Sequence, residues 1–222
     1  MSLVATDRTT KLSSLVPRSG ERMTILGQTG SGKSWAMRAM IGAYLNRRQV
    51  LVIDSKHDFC WNRIKGARYV ATLEGVFRAK FPRCPIVVWR PSGEAANDPD
   101  TFDKFYQWLY ARGNTICIVD EVAQTVAGVT NYGSGFADVV TRGRVRGLTM
   151  IFGSQRPALV PRIVYSESQR FLVFFISDKR DRDTIAAFTS PALSGIVTNS
   201  HGFWEYNTKS RKARYFGGLD LR

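Results

Sequence analysis

The residues with the clearest chemistry are Gly27 to Ser34, whose sequence GQTGSGKS has the spacing of a phosphate-binding loop. The glycines let consecutive backbone N–H groups point at one phosphate, and a following helix adds the positive end of its dipole. Lys33 is expected to reach the β- and γ-phosphates of ATP, and Ser34 the magnesium ion that accompanies them. The predicted nucleotide ligands are Gly27, Gln28, Thr29, Gly30, Ser31, Gly32, Lys33 and Ser34.

A loop of this kind needs a strand before it and a helix after it. Residues 23–26 are an apolar run that predicts the strand, and residues 34–45 have the apolar spacing of a helix. The alternative is a Gly- and Ser-rich turn that matches the motif by chance. Because both flanking elements are present, the pattern favours nucleotide binding over that alternative.

A second chemical signal is the pair Asp120 and Glu121, which ends the apolar run at residues 116–119. Adjacent side chains of a strand point to opposite faces, so the two carboxylates cannot share one task. Asp120 is predicted to serve the magnesium ion, and Glu121 to activate the attacking water. A salt-bridged pair at the end of a strand is the alternative.

Two further strands are predicted to end in polar side chains. Residues 50–53 lead into Asp54 and His57, of which His57 has the position of a surface loop residue rather than a catalyst. Residues 148–152 lead into Gln155, which we expect to sense the γ-phosphate, with an ordinary loop amide as the alternative. The carboxyl ends of parallel strands are where open α/β sheets place ligands.

Strand and helix patterns alternate along the chain, which predicts an α/β fold with a mostly parallel sheet and helices on both faces. Further strands are predicted at 68–72, 85–89 and 171–176, helices at 73–80, 102–110, 137–146 and from 178, and a mobile connection at 123–136. Residues 202–206 and 213–216 predict a C-terminal β-hairpin. Residues 1–20 are predicted to form an N-terminal arm, and 21–222 one domain.

The charge balance points to a polyanionic partner. The 222 residues contain 32 Lys and Arg against 18 Asp and Glu, a net charge of +14. A generally basic, solvated surface is the alternative. Three clusters are candidates for contact with such a partner, each with solvated surface charge as its alternative: Lys179, Arg180 and Arg182; Lys209, Arg211 and Lys212; and the stretch around Tyr132.

Other composition signals restrict the class of protein. The three cysteines are scattered and lack the spacing of a zinc site or a disulfide framework. No apolar run approaches the ~18 residues of a membrane span, and the first twenty residues lack the apolar core of a secretory signal. These features favour an intracellular protein.

The ordered motifs GQTGSGKS, VIDSKHD, ICIVDEV and TRGRVRGLTMIFGSQRP resemble the FtsK-HerA superfamily of DNA-pumping ATPases, from about residue 23 to residue 176. The resemblance implies a P-loop NTPase fold of the RecA/ASCE type with ATP and Mg²⁺ as cofactors. It assigns magnesium and water to Asp120 and Glu121 and the sensor role to Gln155. It places an arginine finger, supplied in trans, on Arg142 or Arg144.

The resemblance also implies a function. Large family members carry membrane, DNA-reading or barrel domains, whereas a chain this small is similar to the genome-packaging ATPases of phages and viruses with an internal membrane. The expected activity is ATP-driven translocation of double-stranded DNA by a homo-hexamer or homo-pentamer. Its expected place is the host cytoplasm and the packaging vertex of the virion, beside a capsid or membrane vertex protein.

Three alternatives remain at this point. One is a conjugation or chromosome DNA pump, or a HerA-like helicase that partners a nuclease. Another is a small-molecule kinase, which needs an acceptor pocket and leaves the positive charge unexplained; we expect no such acceptor. The last is a structural protein that uses nucleotide only as a switch, against which Glu121 argues because a water-activating carboxylate implies turnover.

Overall fold

The computed structural model describes residues 4–5, 9–45, 47–197 and 201–220. The strands are Val4–Ala5 (β1), Thr9–Lys11 (β2), Arg22–Leu26 (β3), Val50–Ile53 (β4), Ala67–Val70 (β5), Ile86–Trp89 (β6), Ile116–Val119 (β7), Thr149–Ser154 (β8), Arg170–Val173 (β9), Phe203–Asn207 (β10), Lys212–Phe216 (β11) and Gly218–Asp220 (β12). The α-helices are Lys33–Met40 (α1), Leu73–Arg78 (α2), Pro99–Arg112 (α3), Ser134–Arg142 (α4), Arg162–Glu167 (α5) and Lys179–Phe188 (α6). Short 3-10 helices span Leu12–Ser14, Ile41–Tyr44, Phe59–Trp61, Gly93–Ala96, Val122–Gln124, Gly143–Arg146, Pro157–Leu159 and Pro191–Ser194.

Within the described residues, the main sheet has ten strands in the order β1-β11-β10-β9-β3-β8-β7-β4-β6-β5. All pairings from β9 to β5 are parallel, and β10 pairs antiparallel with both β9 and β11. The predicted mostly parallel sheet and the C-terminal hairpin are therefore confirmed. One strand, β8, lies between the strand that precedes the phosphate loop and the strand that precedes Asp120.

The sheet is buried on both faces, as its continuous apolar strands predict. In β4, Val50 and Val52 pack on one face and Leu51 and Ile53 on the other. Helix α1 packs on the first face, together with buried Leu15 and Trp61. Residues of α2 to α6 pack on the second face. The predicted arrangement of helices on both faces is therefore confirmed, with more of the α-helices on the second face than on the first.

Helix α4 begins at Ser134, three residues before the predicted start, and gives way to a 3-10 turn at Gly143. The early start has a tertiary cause that sequence periodicity does not contain. Helix α4 crosses α3 at Gly135, where a Cβ atom would lie 2.6 Å from the Asp103 carbonyl oxygen. The Asp103 carboxylate also accepts a hydrogen bond of 3.0 Å from the Phe136 N–H in the first turn of α4.

Both chain ends add strands to the fold. β1 pairs parallel with β11, and β2 pairs with β12 in a separate two-stranded sheet. Leu15 is buried in the core, and Tyr44 donates a hydrogen bond of 2.8 Å to the Pro17 carbonyl. The division into an arm at 1–20 and one domain at 21–222 stays a prediction. Among the described residues, no helix has the length and apolarity needed to cross a bilayer.

Candidate functional site

The phosphate loop joins β3 to α1 at the carboxyl edge of the sheet. Gly32 caps α1 with φ of +99°, a left-handed conformation that favours glycine. The loop is tied to the neighbouring strand ends by hydrogen bonds from Gly27 N–H to Ser154 O and from Gln28 N–H to Phe175 O. It borders a cavity of about 300 Å³ lined by Gln28, Thr29, Gly30, Gly32, Lys33, Ser34, Trp35, Asp58, Cys60, Gln155 and His201.

Lys33 and Ser34 line this cavity, and with Asp120, which both of them contact, they form what we call the floor of the site. The Lys33 ammonium lies 2.7 Å from Asp120 Oδ1 and donates a second hydrogen bond to the Asp120 carbonyl at 2.9 Å. The Ser34 hydroxyl donates to the same Oδ1 atom, also at 2.9 Å. The fold therefore brings together the phosphate-binding cation and the two oxygen groups that the sequence predicts as magnesium ligands.

The close approach of β8 to the end of β7 depends on Gly153. A Cβ atom at this position would lie 2.4 Å from the Asp120 carbonyl oxygen and 2.9 Å from the Met37 side chain. A larger residue would push Asp120 away from the phosphate loop. In the sequence Gly153 is only the residue after a predicted strand, and the close contact exists because β7 and β8 are paired.

Glu121 points away from Asp120, as adjacent residues at the end of a strand should. Its carboxylate accepts hydrogen bonds from Ser154 Oγ at 2.5 Å and from the Gln155 N–H at 3.0 and 3.3 Å. Lys56 lies 2.9 Å from Oε2, and the Glu121 side chain is only 5% exposed. The two carboxylates thus have separate partners and separate environments.

Gln155 follows β8 and lies between the phosphate loop and Glu121. Its side-chain carbonyl accepts a hydrogen bond of 3.2 Å from Thr29 Oγ1. Its backbone N–H contacts Glu121, so one residue touches both halves of the site. This position suits the predicted sensor of the γ-phosphate, a role that stays a prediction.

The three arginines near the end of α4 differ in their contacts. Arg142 pairs with Asp138 one helical turn earlier at 3.1 Å. Arg146 donates to the carbonyls of Tyr110 and Ala111 at the end of α3. Among the described residues, no hydrogen-bond acceptor contacts the exposed Arg144 guanidinium. Arg144 is therefore the arginine that is free to act elsewhere.

These arginines lie at the opposite edge of the sheet from the phosphate loop. The turn Gly143–Arg146 precedes β8, whereas the loop follows β3, and these two neighbouring strands are parallel. The six residues of β8 span roughly 20 Å at ~3.3 Å per residue. Arg142 and Arg144 therefore cannot serve the nucleotide site of their own chain.

The loop after β4 is held by a buried ion pair. Asp54 is fully buried, and its carboxylate contacts Arg90 Nε at 2.7 Å and accepts from the Asp58 N–H at 2.8 Å. Burial raises the pKa of Asp54 above its usual value, while the hydrogen bonds from Asp58 and Arg90 oppose that shift. His57 lies on this loop with φ of +54° and contacts the Pro91 carbonyl, away from the Lys33 cluster.

The three predicted DNA-contact clusters are also heterogeneous. Arg182 donates to the carbonyls of Ile176 and Ser194, and Tyr132 packs against Phe136, so both serve the fold. Lys179 is highly exposed and pairs with Asp183 on the surface of α6. The free surface charge lies mainly in Arg180, Lys209, Arg211 and Lys212.

Several residues at the site have no motif that marks them in the sequence. Trp35, Asp58, Cys60 and His201 line the cavity, and the first three come from α1 and the loop after β4. Lys56 contacts Glu121 although 65 residues separate them. The only sequence signal for Lys56 and Asp58 is their place after a buried strand, in the segment DSKHD.

Comparison with known proteins gives three similarities. Residues 12–90 match the family described as the central domain of the helicase HerA. The DNA packaging ATPase P9 of Enterobacteria phage PRD1 is 29% identical over 183 residues, which cover 82% of this chain and 76% of that protein. The fold is similar to that of the genome packaging NTPase B204 of Sulfolobus turreted icosahedral virus 2 in complex with AMPPCP, with a TM-score of 0.72, 17% identity and coverage of 91% and 100% of the two chains.

A further fold similarity is to the pCW3 conjugation coupling protein TcpA, with a TM-score of 0.63, 13% identity and coverage of 92% of this chain and 61% of that one. The phosphate loop, the mostly parallel sheet and these folds agree with one another. The chain has the fold of a P-loop ATPase, and residues 12–90 are similar to the central domain of HerA.

Proposed function

We propose that this chain is the motor of a viral genome-packaging machine, which hydrolyses ATP and moves double-stranded DNA. One observation carries the proposal: a second buried carboxylate, Glu121, lies beside the Lys33–Asp120 floor but outside it. A nucleotide-binding switch needs only the floor, whereas turnover needs a base for water. The similarity to the packaging ATPase of phage PRD1 supports DNA as the substrate of the motion.

ATP fits the phosphate loop on chemical grounds. Gly30, Gly32 and Lys33 line the cavity, so loop backbone and the Lys33 side chain border the space that the phosphates would fill. The N-terminus of α1 contributes its unpaired N–H groups to the same place. The Lys33 ammonium would leave Asp120 for the phosphates, since an added triphosphate competes for this buried cation.

Mg²⁺ fits the oxygen atoms of Ser34 and Asp120, which already lie 2.9 Å apart. When bound with ATP, the ion neutralises charge on the β- and γ-phosphate oxygens. The departure of Lys33 from Asp120 would leave that carboxylate available to the ion. Nucleotide and magnesium would therefore bind together, each requiring the same rearrangement of Lys33.

The chain's own residues would then divide the hydrolytic work. Glu121 takes the proton of the attacking water, and Gln155 orients the γ-phosphate end of the nucleotide from the neighbouring strand. Arg144 of a second copy supplies positive charge to the transferring phosphate. Because Arg144 cannot reach the loop of its own chain, the active unit is a head-to-tail ring, for which we propose a homo-hexamer or homo-pentamer.

The ring would bind DNA through its phosphates. Phosphate contacts do not depend on base sequence, and a motor must advance along any sequence. The free cations Arg180, Lys209, Arg211 and Lys212 are the proposed contacts, with Lys179 available if it leaves Asp183. In the virus this ring would act in the host cell at the packaging vertex, against a capsid or membrane vertex protein. No small-molecule acceptor is part of the proposed reaction.

We expect duplex DNA of arbitrary sequence to stimulate ATP hydrolysis, and added salt to remove the stimulation. Affinity for duplex DNA should fall with a slope near −0.9 per phosphate neutralised in a plot of log K against log salt. The measurement is ATPase rate against DNA concentration at several salt concentrations. The triple variant Lys209→Ala, Arg211→Ala, Lys212→Ala should lower the slope without changing ATP affinity. If rings form, as shown by size measurement, and DNA does not change the ATPase rate at low salt, a small-molecule kinase would be the better interpretation.

A further inference from the structure

Lys56 makes a contact that the hydrolytic scheme does not require. It lies in the loop after β4, and its ammonium is 2.9 Å from Glu121 Oε2. It is not among the described residues that line the cavity at the phosphate loop. The contact joins two residues that both lie outside this lining, so a role in binding phosphate does not explain it.

The acceptor sites of the Glu121 carboxylate are occupied from several directions. Ser154 Oγ contacts Oε1, the Gln155 N–H contacts both oxygens, and Lys56 contacts Oε2. A carboxylate held in this way has its acceptor sites occupied, because each donor takes a lone pair that the attacking water needs. For Glu121 to take a proton from water, at least one of these donors has to leave.

The donors differ in how easily they can leave. Ser154 is fully buried at the end of β8, and the Gln155 N–H belongs to the main chain that continues this strand. The Lys56 side chain is 29% exposed and has several rotatable bonds. Lys56 is therefore the contact that can break without moving the sheet.

The backbone around Lys56 is fixed, so the side chain alone has to move. Asp54 holds the loop through Arg90 and the Asp58 N–H, and Ser55 Oγ donates to the Gln124 side chain at 2.8 Å. The anchored loop keeps Lys56 within reach of Glu121. A competing anion in solution can still draw the partly exposed ammonium away.

We propose that Lys56 is a positioning residue that restrains Glu121 at rest, and that a phosphate of duplex DNA releases Glu121 by binding Lys56. The release step rests on the proposed function, whereas the restraint does not. DNA is the favoured anion because the Lys56 side chain is partly exposed and is not among the described residues that line the cavity at the phosphate loop. The ring would then hydrolyse ATP mainly when DNA is present.

The test compares ATPase rates with and without duplex DNA for wild type, Lys56→Met, Lys56→Arg and the control Lys65→Met, which removes an exposed cation nearby. Lys56→Met should raise the ATPase rate without DNA about tenfold. This factor corresponds to the lower end of the range for loss of a hydrogen bond to a charged group. Its further stimulation by DNA should fall to less than twofold. Lys56→Arg and Lys65→Met should behave as wild type.

The ATP affinity and the thermal unfolding of each variant are measured as well, so that a change in ATPase rate is not mistaken for misfolding. If Lys56→Met does not fold, Lys56→Ala takes its place. An unchanged DNA-free rate, or lost hydrolysis with intact ATP binding, would overturn the restraint. A higher ATPase rate of Lys56→Met without DNA would support the restraint. If DNA did not change the ATPase rate of the wild type in the same experiment, both the release step and the proposed motor function would be overturned. Normal DNA stimulation of Lys56→Met would overturn the release step alone.

Discussion

Replacement of Glu121 by glutamine is expected to lower kcat for ATP hydrolysis by about 10² to 10⁴ while ATP binding is retained. Glutamine has nearly the same shape but cannot take a proton from water. With the amide oxygen in the place of Oε1, the hydrogen bonds from Ser154 Oγ and from the Gln155 N–H to that atom can persist, so the end of β8 should keep its position. The measurements are steady-state ATPase rate and equilibrium binding of a fluorescent ATP analogue.

Lys33→Ala is the matching variant for the other half of the site, and it should lose ATP binding as well as turnover. It leaves the nearly buried Asp120 carboxylate without its cation, so its folding has to be checked by thermal unfolding. The contrast between the two variants separates the phosphate-binding floor from the base. Turnover by Glu121→Gln at the wild-type rate would show that another group activates water.

Loss of Arg144 is expected to produce the second large effect, a fall of about 10³ to 10⁵ in kcat, the range for an arginine finger. ATP affinity should change little, because in the proposed ring Arg144 acts on the site of a neighbouring copy. The matched controls are Arg142→Ala, which breaks only an exposed pair with Asp138, and Arg146→Ala. Arg146→Ala should lower stability, since Arg146 binds the last carbonyls of α3.

Mixing two inactive variants tests whether the arginine acts in trans. Lys33→Ala subunits retain Arg144, and Arg144→Ala subunits retain an intact phosphate loop. Mixed rings therefore contain some interfaces with both groups, and partial ATPase activity should return. If none of the three arginine variants regains activity when mixed with Lys33→Ala, a finger supplied by this segment is excluded.

Local sequence patterns predicted most of the sheet and the floor of the site. The four residues Val50–Ile53 and the four residues Ile116–Val119 form strands with the predicted bounds, because short apolar runs rich in β-branched residues suit strands that are buried on both faces. The phosphate loop follows its predicted strand directly. These features are determined by residues that are close together in the sequence, so local sequence patterns are enough to predict them.

Features that depend on contacts between distant segments were not predictable in the same way. The start of α4 is set by Asp103 of α3, and the position of β8 against Asp120 depends on Gly153. Arg142 and Arg144 are equivalent candidates by sequence, and the structure adds that Arg142 pairs with Asp138 on the surface of α4. The contact between Lys56 and Glu121 requires β4 and β7 to be neighbours in the sheet.

The central claim is that ATP hydrolysis moves this protein along duplex DNA, and displacement of a triplex tests it most directly. A short third strand, annealed to one end of a linear duplex, should be released by the wild-type ring with ATP and Mg²⁺. No release is expected with Glu121→Gln or with a non-hydrolysable ATP analogue. Retention of the third strand by the wild-type ring, while DNA-stimulated hydrolysis proceeds in the same sample, would contradict the account.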